Sequence, residues 1–236
     1  MIAAIVQARI GSARLPGKVL MEIEGKPMLQ RVVERLKECD YLDDIIVATT
    51  TQLRDNPIID LVENLEVRNY RLTGEPSDVL SRIYCAATLY KADIIVRITS
   101  DCPLIDPKVV DKAIKYFLDN SFDYVFNTGP DRNKFTYPDG LDVEVFSYNI
   151  LEKAWDEVGE VNDKYAKEHV TAYIYNNPDK FRVAILPCDI DFKNLKVGEL
   201  HWSVDTEEDL KFVRRIYRKL GENFSLEDLI DYLRKR

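Results

Sequence analysis

The chain has 236 residues, 46% apolar and 31% charged, enough to bury a sizeable core without staples and suited to one α/β domain or one domain with a small lobe. Its net charge of −8 repels a phosphate backbone and sets nucleic acid aside as a default partner. Cys39, Cys85, Cys102 and Cys188 fit neither a zinc motif nor a disulfide framework, so a reducing cytoplasm is expected; residues 1–8 are too short for a signal peptide, and no apolar run approaches the roughly 18 residues of a membrane span.

Residues 2–6 are apolar and rich in β-branched side chains, and read as a buried strand. A basic loop follows. Pro27 then opens a helix to about residue 39, with Met28, Leu29, Val32, Val33 and Leu36 on one face. Residues 45–50 read as the second strand, with a helix from about Pro57 and a short strand near Val67. Ser77 is expected to cap a helix to about Tyr90. Residues 94–98 read as another buried strand, before a helix from about Pro107 and a strand at 124–126. This alternation predicts an α/β fold with a mainly parallel sheet and helices on both faces. The rhythm breaks after Asn127, and the stretch to Gly140, with Pro130 and Pro138, reads as loop. In 141–146, Leu141, Val143 and Val145 alternate with Asp142 and Glu144, the pattern of a half-exposed strand. Ser147 starts a helix, a second is expected over 162–175, and 181–186 and 200–204 read as strands. Thr206 with Asp209, and Ser225 with Asp228, have capping-box spacing.

The loop from Arg9 to Lys18 stands out chemically. The first 21 residues contain no Asp or Glu yet carry Arg9, Arg14 and Lys18. The loop follows the first strand, where open parallel sheets bind ligands. Gly11 lets backbone N–H groups approach a phosphate, Ser12 adds a hydroxyl, and arginine can grip phosphate oxygens bidentately. Five residues separate Gly11 from Gly17 and Val19 follows Lys18, so the Walker pattern fails; the dinucleotide fingerprint lacks its third glycine. The alternative is a surface turn with scattered basic residues.

Arg9-x-Gly11-Ser12-x-Arg14-Leu15-Pro16-x-Lys18 resembles the signature loop of the cytidylyltransferases that activate 3-deoxy-manno-octulosonate and sialic acids. The likeness is strongest to the spore-coat polysaccharide biosynthesis protein F branch of that superfamily. It spans nearly the whole chain and is sharp in a few blocks. It implies a Rossmann-like fold of nucleotide-diphospho-sugar transferase type with a small antiparallel extension. One domain would cover 1–236, with about 128–187 serving acceptor binding and homodimerisation. The implied reaction transfers CMP from CTP to a sugar acid or related acceptor and releases pyrophosphate, with Arg9, Gly11, Ser12, Arg14 and Lys18 on the triphosphate.

Asp101, in Thr99-Ser100-Asp101-Cys102-Pro103, and Asp205, in Val204-Asp205-Thr206-Glu207, resemble the family's two magnesium positions. If both end parallel strands, they converge on the loop, and with Arg9 and Lys18 they form the expected catalytic set. Without the resemblance, Asp101 reads equally as a turn residue and Asp205 as an acid at a helix start. Gly74-Glu75-Pro76-Ser77-Asp78-Val79-Leu80-Ser81-Arg82 also resembles a family block, which offers Ser77 and Asp78 to the nucleotide, although helix capping explains both as well. On the acceptor side, Tyr137, Gly140, Asp142 and Glu144 lie in a block similar to the spore-coat branch. His169 lies in Glu168-His169-Val170-Thr171, on a face expected to include Tyr165 and Tyr173. A solvated strand face and a packed histidine are the plain alternatives; His201 reads as structural. A metal-dependent glycosyltransferase of similar fold and a non-catalytic nucleotide-binding module remain as rival functions.

Overall fold

The computed structural model describes residues 1–129, 131–190, 192 and 196–235; Pro130, within the expected loop, lies outside them. In chain order the elements are β1 (Ile2–Gln7), β2 (Glu22–Ile23), β3 (Lys26–Pro27), α1 (Met28–Leu36), β4 (Asp44–Thr50), α2 (Asn56–Asn64), β5 (Arg68–Leu72), α3 (Val79–Tyr90) and β6 (Ile94–Thr99). They continue with α4 (Pro107–Asp119), β7 (Tyr124–Phe126), β8 (Glu144–Ser147), α5 (Tyr148–Val161), α6 (Lys164–Glu168), α7 (Ala172–Tyr175), β9 (Val183–Ile185), α8 (Glu207–Leu220) and α9 (Leu226–Arg234).

Seven strands form one sheet in the order β5-β4-β1-β6-β8-β7-β9. β1, β4, β5 and β6 run parallel, β8 runs antiparallel to both β6 and β7, and β9 is parallel to β7. β2 and β3 make a separate antiparallel hairpin. The expected Rossmann-like sheet with a small antiparallel addition is therefore present.

Both sheet faces are covered, which explains why β1 reads as a continuous apolar run. Ala4 and Val6 join a core on one face with Val32, Val110 and Val213, from α1, α4 and α8. Ala3 and Ile5 join the opposite core with Ile83 and Ala154, from α3 and α5. Side-chain direction alternates along a strand, so one run supplies both layers.

Four local expectations change. Asp78, not Ser77, caps α3, its carboxylate accepting from the Ser81 N–H at 3.0 Å. The strand expected at 141–146 is shorter and interior: β8 is paired on both edges, and Leu141, Val143 and Val145 are fully buried. Its acidic residues face a crevice rather than open solvent. The helix expected over 162–175 breaks into α6 and α7 at His169. The β-branched pair Val170 and Thr171 follows the break, and the Thr171 hydroxyl is engaged by Glu144 at 3.2 Å. Residues 200–204 form no strand. They are extended, with one bridge between Asp139 and His201, and the Val204 N–H donates to the Asp101 carbonyl at 2.8 Å.

Candidate active site

The basic loop leaves the end of β1 and is held by buried Asp55. That carboxylate accepts from the Ile10 N–H at 2.8 Å and from the Thr50 hydroxyl. The Gly17 N–H closes the loop on the Ile10 carbonyl at 2.9 Å, while Leu15 is buried as its anchor. Gly17 has φ 75°, a left-handed conformation that costs glycine little. It turns the chain into a single 3-10 turn, Lys18–Leu20, and sends Lys18 inward.

Lys18 is 7% exposed. Its ammonium donates to Asp101 Oδ2 at 2.7 Å, Asp205 Oδ1 at 3.0 Å and the Val204 carbonyl at 2.7 Å. All three donors are thereby satisfied. The two aspartates, far apart in sequence, thus converge as expected although Asp205 follows no strand. The lysine lies between them rather than reaching outward. Burial works against the Lys18 charge, but Asp101 and Asp205 outweigh it and raise its pKa. Burial likewise opposes the Asp101 carboxylate, and Lys18, helped by Thr99, holds it below the usual range. Arg14, 69% exposed at its side chain, reaches Asp205 Oδ1 at 2.8 Å.

A cavity of about 410 Å³ opens here, lined by Arg9, Ser12, Arg14, Lys18, Arg82 and Asp101 among others. Arg9 donates to the Pro76 carbonyl at 2.7 Å and lies 3.7 Å from Glu168. Gly11 packs under Arg54, whose guanidinium would lie 3.2 Å from a Cβ there. Ser77 and Asp78 sit at the start of α3 and do not line this cavity. Asp101 Oδ1 has the Cys102 thiol at 3.8 Å, and Asp205 Oδ2 has His201 Nε2 at 3.8 Å. Each carboxylate thus keeps one oxygen turned from Lys18. That donor set suits magnesium, which takes one or two carboxylates plus phosphate oxygens and water. Among the described residues no three or more His, Cys, Asp or Glu side chains gather as a metal cluster.

A second cavity of about 330 Å³ adjoins the first, lined by Arg97, Thr128, Arg132, Asp139, Asp142 and Glu144 among others. Arg97 and His169 line both. Arg97 spans Gln7 Oε1 at 3.0 Å and Glu144 Oε2 at 2.7 Å. Asp142 Oδ1 accepts from the Thr128 hydroxyl at 2.8 Å and the Gly140 N–H at 3.2 Å. Burial, reinforced by Asp139, pushes the Asp142 carboxyl up to about 7. His169 packs against Tyr165 with ring centroids 4.3 Å apart. Tyr173 leaves the face expected of it and bonds Glu157 on α5. Tyr137 is also misplaced by the sequence reading. It is 1% exposed and packs edge-on against Phe192, lining neither cavity.

His201 links the two regions, with Nδ1 2.9 Å from Asp139 and Nε2 3.8 Å from Asp205. Gly140 lets them meet: with φ +103°, a Cβ would stand 2.4 Å from the Ser203 nitrogen. Sequence reading missed Arg97, Asp55 and Thr128, and it held Arg82 and Asp139 inside family-like blocks without giving either a role of its own. Arg97 had a signal, a lone cation inside the apolar run of β6. A larger cavity, about 580 Å³, lies between α1 and α9. Its Arg31 is held by the Ile23 and Glu24 carbonyls and Glu222, as a structural tie.

The family model described as Cytidylyltransferase matches residues 3–227. The spore coat polysaccharide biosynthesis protein SpsF of Bacillus subtilis is 30% identical over 99% of this chain and 94% of its own. The 3-deoxy-manno-octulosonate cytidylyltransferase of Trichlorobacter lovleyi is 37% identical over 50% of this chain and 46% of its own. The solved structure of a cytidylyltransferase from Leptospira borgpetersenii superposes with TM-score 0.87 at 32% identity, covering 99% of this chain and 94% of that one. A family model that spans nearly all of the sequence and relatives that match it end to end show that the chain belongs to the cytidylyltransferase family.

Proposed function

We propose that this enzyme transfers CMP from CTP to a sugar acid or a related acceptor, in the biosynthesis of surface polysaccharide or glycoconjugate. The observation that carries the reading is the Lys18 ammonium joining Asp101 to Asp205 on the wall of a basic cavity that adjoins a second, acidic one. Arg9, Arg14 and Ser12 bind the β- and γ-phosphates that depart as pyrophosphate. Lys18 fixes the two carboxylates and adds positive charge near the α-phosphate. Asp142 and Glu144 receive acceptor hydroxyls, and Arg97, on both walls, keeps acceptor and nucleotide in register. The acceptor oxygen attacks the α-phosphorus in line, so positioning and charge stabilisation supply most of the rate. Magnesium, on Asp101 and Asp205, supplies charge to the phosphate oxygens when bound.

The same proposal includes a homodimer and a cytoplasmic setting. Val161 and Tyr165, 69% and 55% exposed in the 128–187 portion, offer apolar surface for a second copy. The cysteines are unpaired thiols, and no described helix is long and apolar enough to cross a membrane.

Pyrophosphate release tests the reading. CTP with magnesium and a panel of sugar acids including 3-deoxy-manno-octulosonate should release pyrophosphate and form a CMP-sugar. Release of nucleoside diphosphate instead, from a sugar nucleotide, contradicts it.

A further inference from the structure

Asp101 reaches Lys18 from a turn, residues 100–106, that follows β6. The turn holds itself loosely. Pro103 has no N–H to give, the Cys102 N–H meets the Thr99 carbonyl only at 3.4 Å, and the Ile105 N–H meets the Cys102 carbonyl at 3.0 Å. Cys102, Leu104 and Ile105 are almost fully buried, so the carbonyls here need partners from the protein. Those partners come from outside the turn. The Asp101 carbonyl accepts from the Val204 N–H at 2.8 Å, and the Pro103 carbonyl accepts from the Tyr217 hydroxyl at 2.6 Å. The Ile105 carbonyl accepts from Arg35 Nε on α1. The Asp106 carboxylate accepts from the N–H of Leu226, the first residue of α9, at 2.8 Å.

Val204, Tyr217 and Leu226 belong to the C-terminal segment that also carries Asp205. The Asp205 N–H donates to Asp209 Oδ2 at 3.0 Å, and the Thr206–Asp209 capping box fixes the start of α8 directly after it. Tyr217 stands near the other end of that helix. Its ring packs edge-on against Phe224, with centroids 5.3 Å apart, and under the Arg31 guanidinium at 4.8 Å. Held there, the hydroxyl can aim only at the turn. Burial pushes its pKa up to about 12, so it keeps its proton and donates. One helix thus follows one aspartate and grips the turn of the other. We propose that Tyr217 is a positioning residue for the transfer, fixing through the Pro103 carbonyl the separation of Asp101 from Asp205 across Lys18. It lines neither the nucleotide nor the acceptor cavity and acts only through the backbone. This rests on the two aspartates serving the CTP reaction proposed above. A carboxylate displaced by a fraction of an ångström still binds substrate but stabilises the transition state less well.

Tyr217→Phe removes the hydroxyl and keeps the ring. Tyr90→Phe is the control: its hydroxyl donates to the Asn69 carbonyl, also at 2.6 Å, and it lines neither cavity. Pyrophosphate release is measured with CTP, magnesium and the best acceptor of the sugar-acid panel above, with calorimetric titration of CTP and melting temperatures alongside. Tyr217→Phe should lower kcat about tenfold while the KM and Kd for CTP stay within about twofold. Tyr90→Phe should keep the wild-type kcat, with both variants melting slightly lower. In an Asp101→Asn background the loss of the Tyr217 hydroxyl should cost no further kcat, because it acts through that carboxylate. An unchanged kcat in Tyr217→Phe makes the hydroxyl structural and overturns the proposal. So does an equal loss of kcat in the control, a rise in the KM for CTP at constant kcat, or a full additional loss in the Asp101→Asn background. A wild type that releases no pyrophosphate with any acceptor sinks the transfer itself, and the role of Tyr217 with it.

Discussion

The two adjoining cavities share Arg97 and His169 yet carry opposite charge. The nucleotide side sets Arg9, Arg14, Lys18 and Arg82 against Asp101 and Glu168. The acceptor side sets Asp139, Asp142 and Glu144 against Arg97 and Arg132. The first suits a triphosphate, and the second suits groups that donate hydrogen bonds. They also differ in how their charges are paired. Lys18 is enclosed by its carboxylates, whereas Asp142 is held by neutral donors alone and has its pKa pushed up to about 7. Removing charge should therefore hurt the nucleotide side and relieve the acceptor side.

Lys18→Ala is the largest expected break. It leaves Asp101 and Asp205 without their shared ammonium and should cost about 3–5 kcal/mol in denaturant unfolding, with turnover lost. Asp101→Asn keeps an acceptor for Lys18 and loses the charge. Pyrophosphate release should fall about 100-fold, a barrier change of about 2.7 kcal/mol, with a smaller change in stability. Gly140→Ala probes the junction of the two regions. The added Cβ meets Ser203 and Trp202 backbone at a positive φ, so a loss of about 2 kcal/mol is expected in thermal unfolding.

Asp142→Asn should move stability the other way. Its folded pKa is raised to about 7 from 3.8, so the native state binds the extra proton between those values and stability falls as pH rises through that window. Asparagine escapes the penalty and still accepts from Thr128 and Gly140. The variant should be more stable than wild type at pH 8 by up to about 4 kcal/mol, the full weight of the shift, and the gain should vanish near pH 4. Parallel melting curves across pH check this. A gain that persists at pH 4 contradicts the assigned titration.

Sequence carried the nucleotide side well because its parts are local. Arg9 to Lys18 is one contiguous loop after a strand whose apolar run is unmistakable, and both capping boxes were legible from their spacing. The acceptor side depends on which strands pair. An alternating pattern at 141–146 cannot say whether its acidic face meets solvent or a crevice, and that was decided by β8 lying between β6 and β7. Tyr137 and Asp139 look equivalent in sequence, yet one enters the core and the other meets His201 and Arg132. The break at His169 was hidden because Tyr165, His169 and Tyr173 keep helical spacing across it. The position of Lys18 was similarly beyond reach, since its partners lie 83 and 187 residues away.

Whether the basic cavity holds the triphosphate of CTP is decided by calorimetric titration of CTP with magnesium into wild type and Arg14→Ala. Arg14 is largely exposed, so its removal leaves the fold in place. Saturable CTP binding is expected, in competition with pyrophosphate and weakened roughly tenfold in the variant. Equal affinity in both proteins, or no binding in wild type, contradicts it.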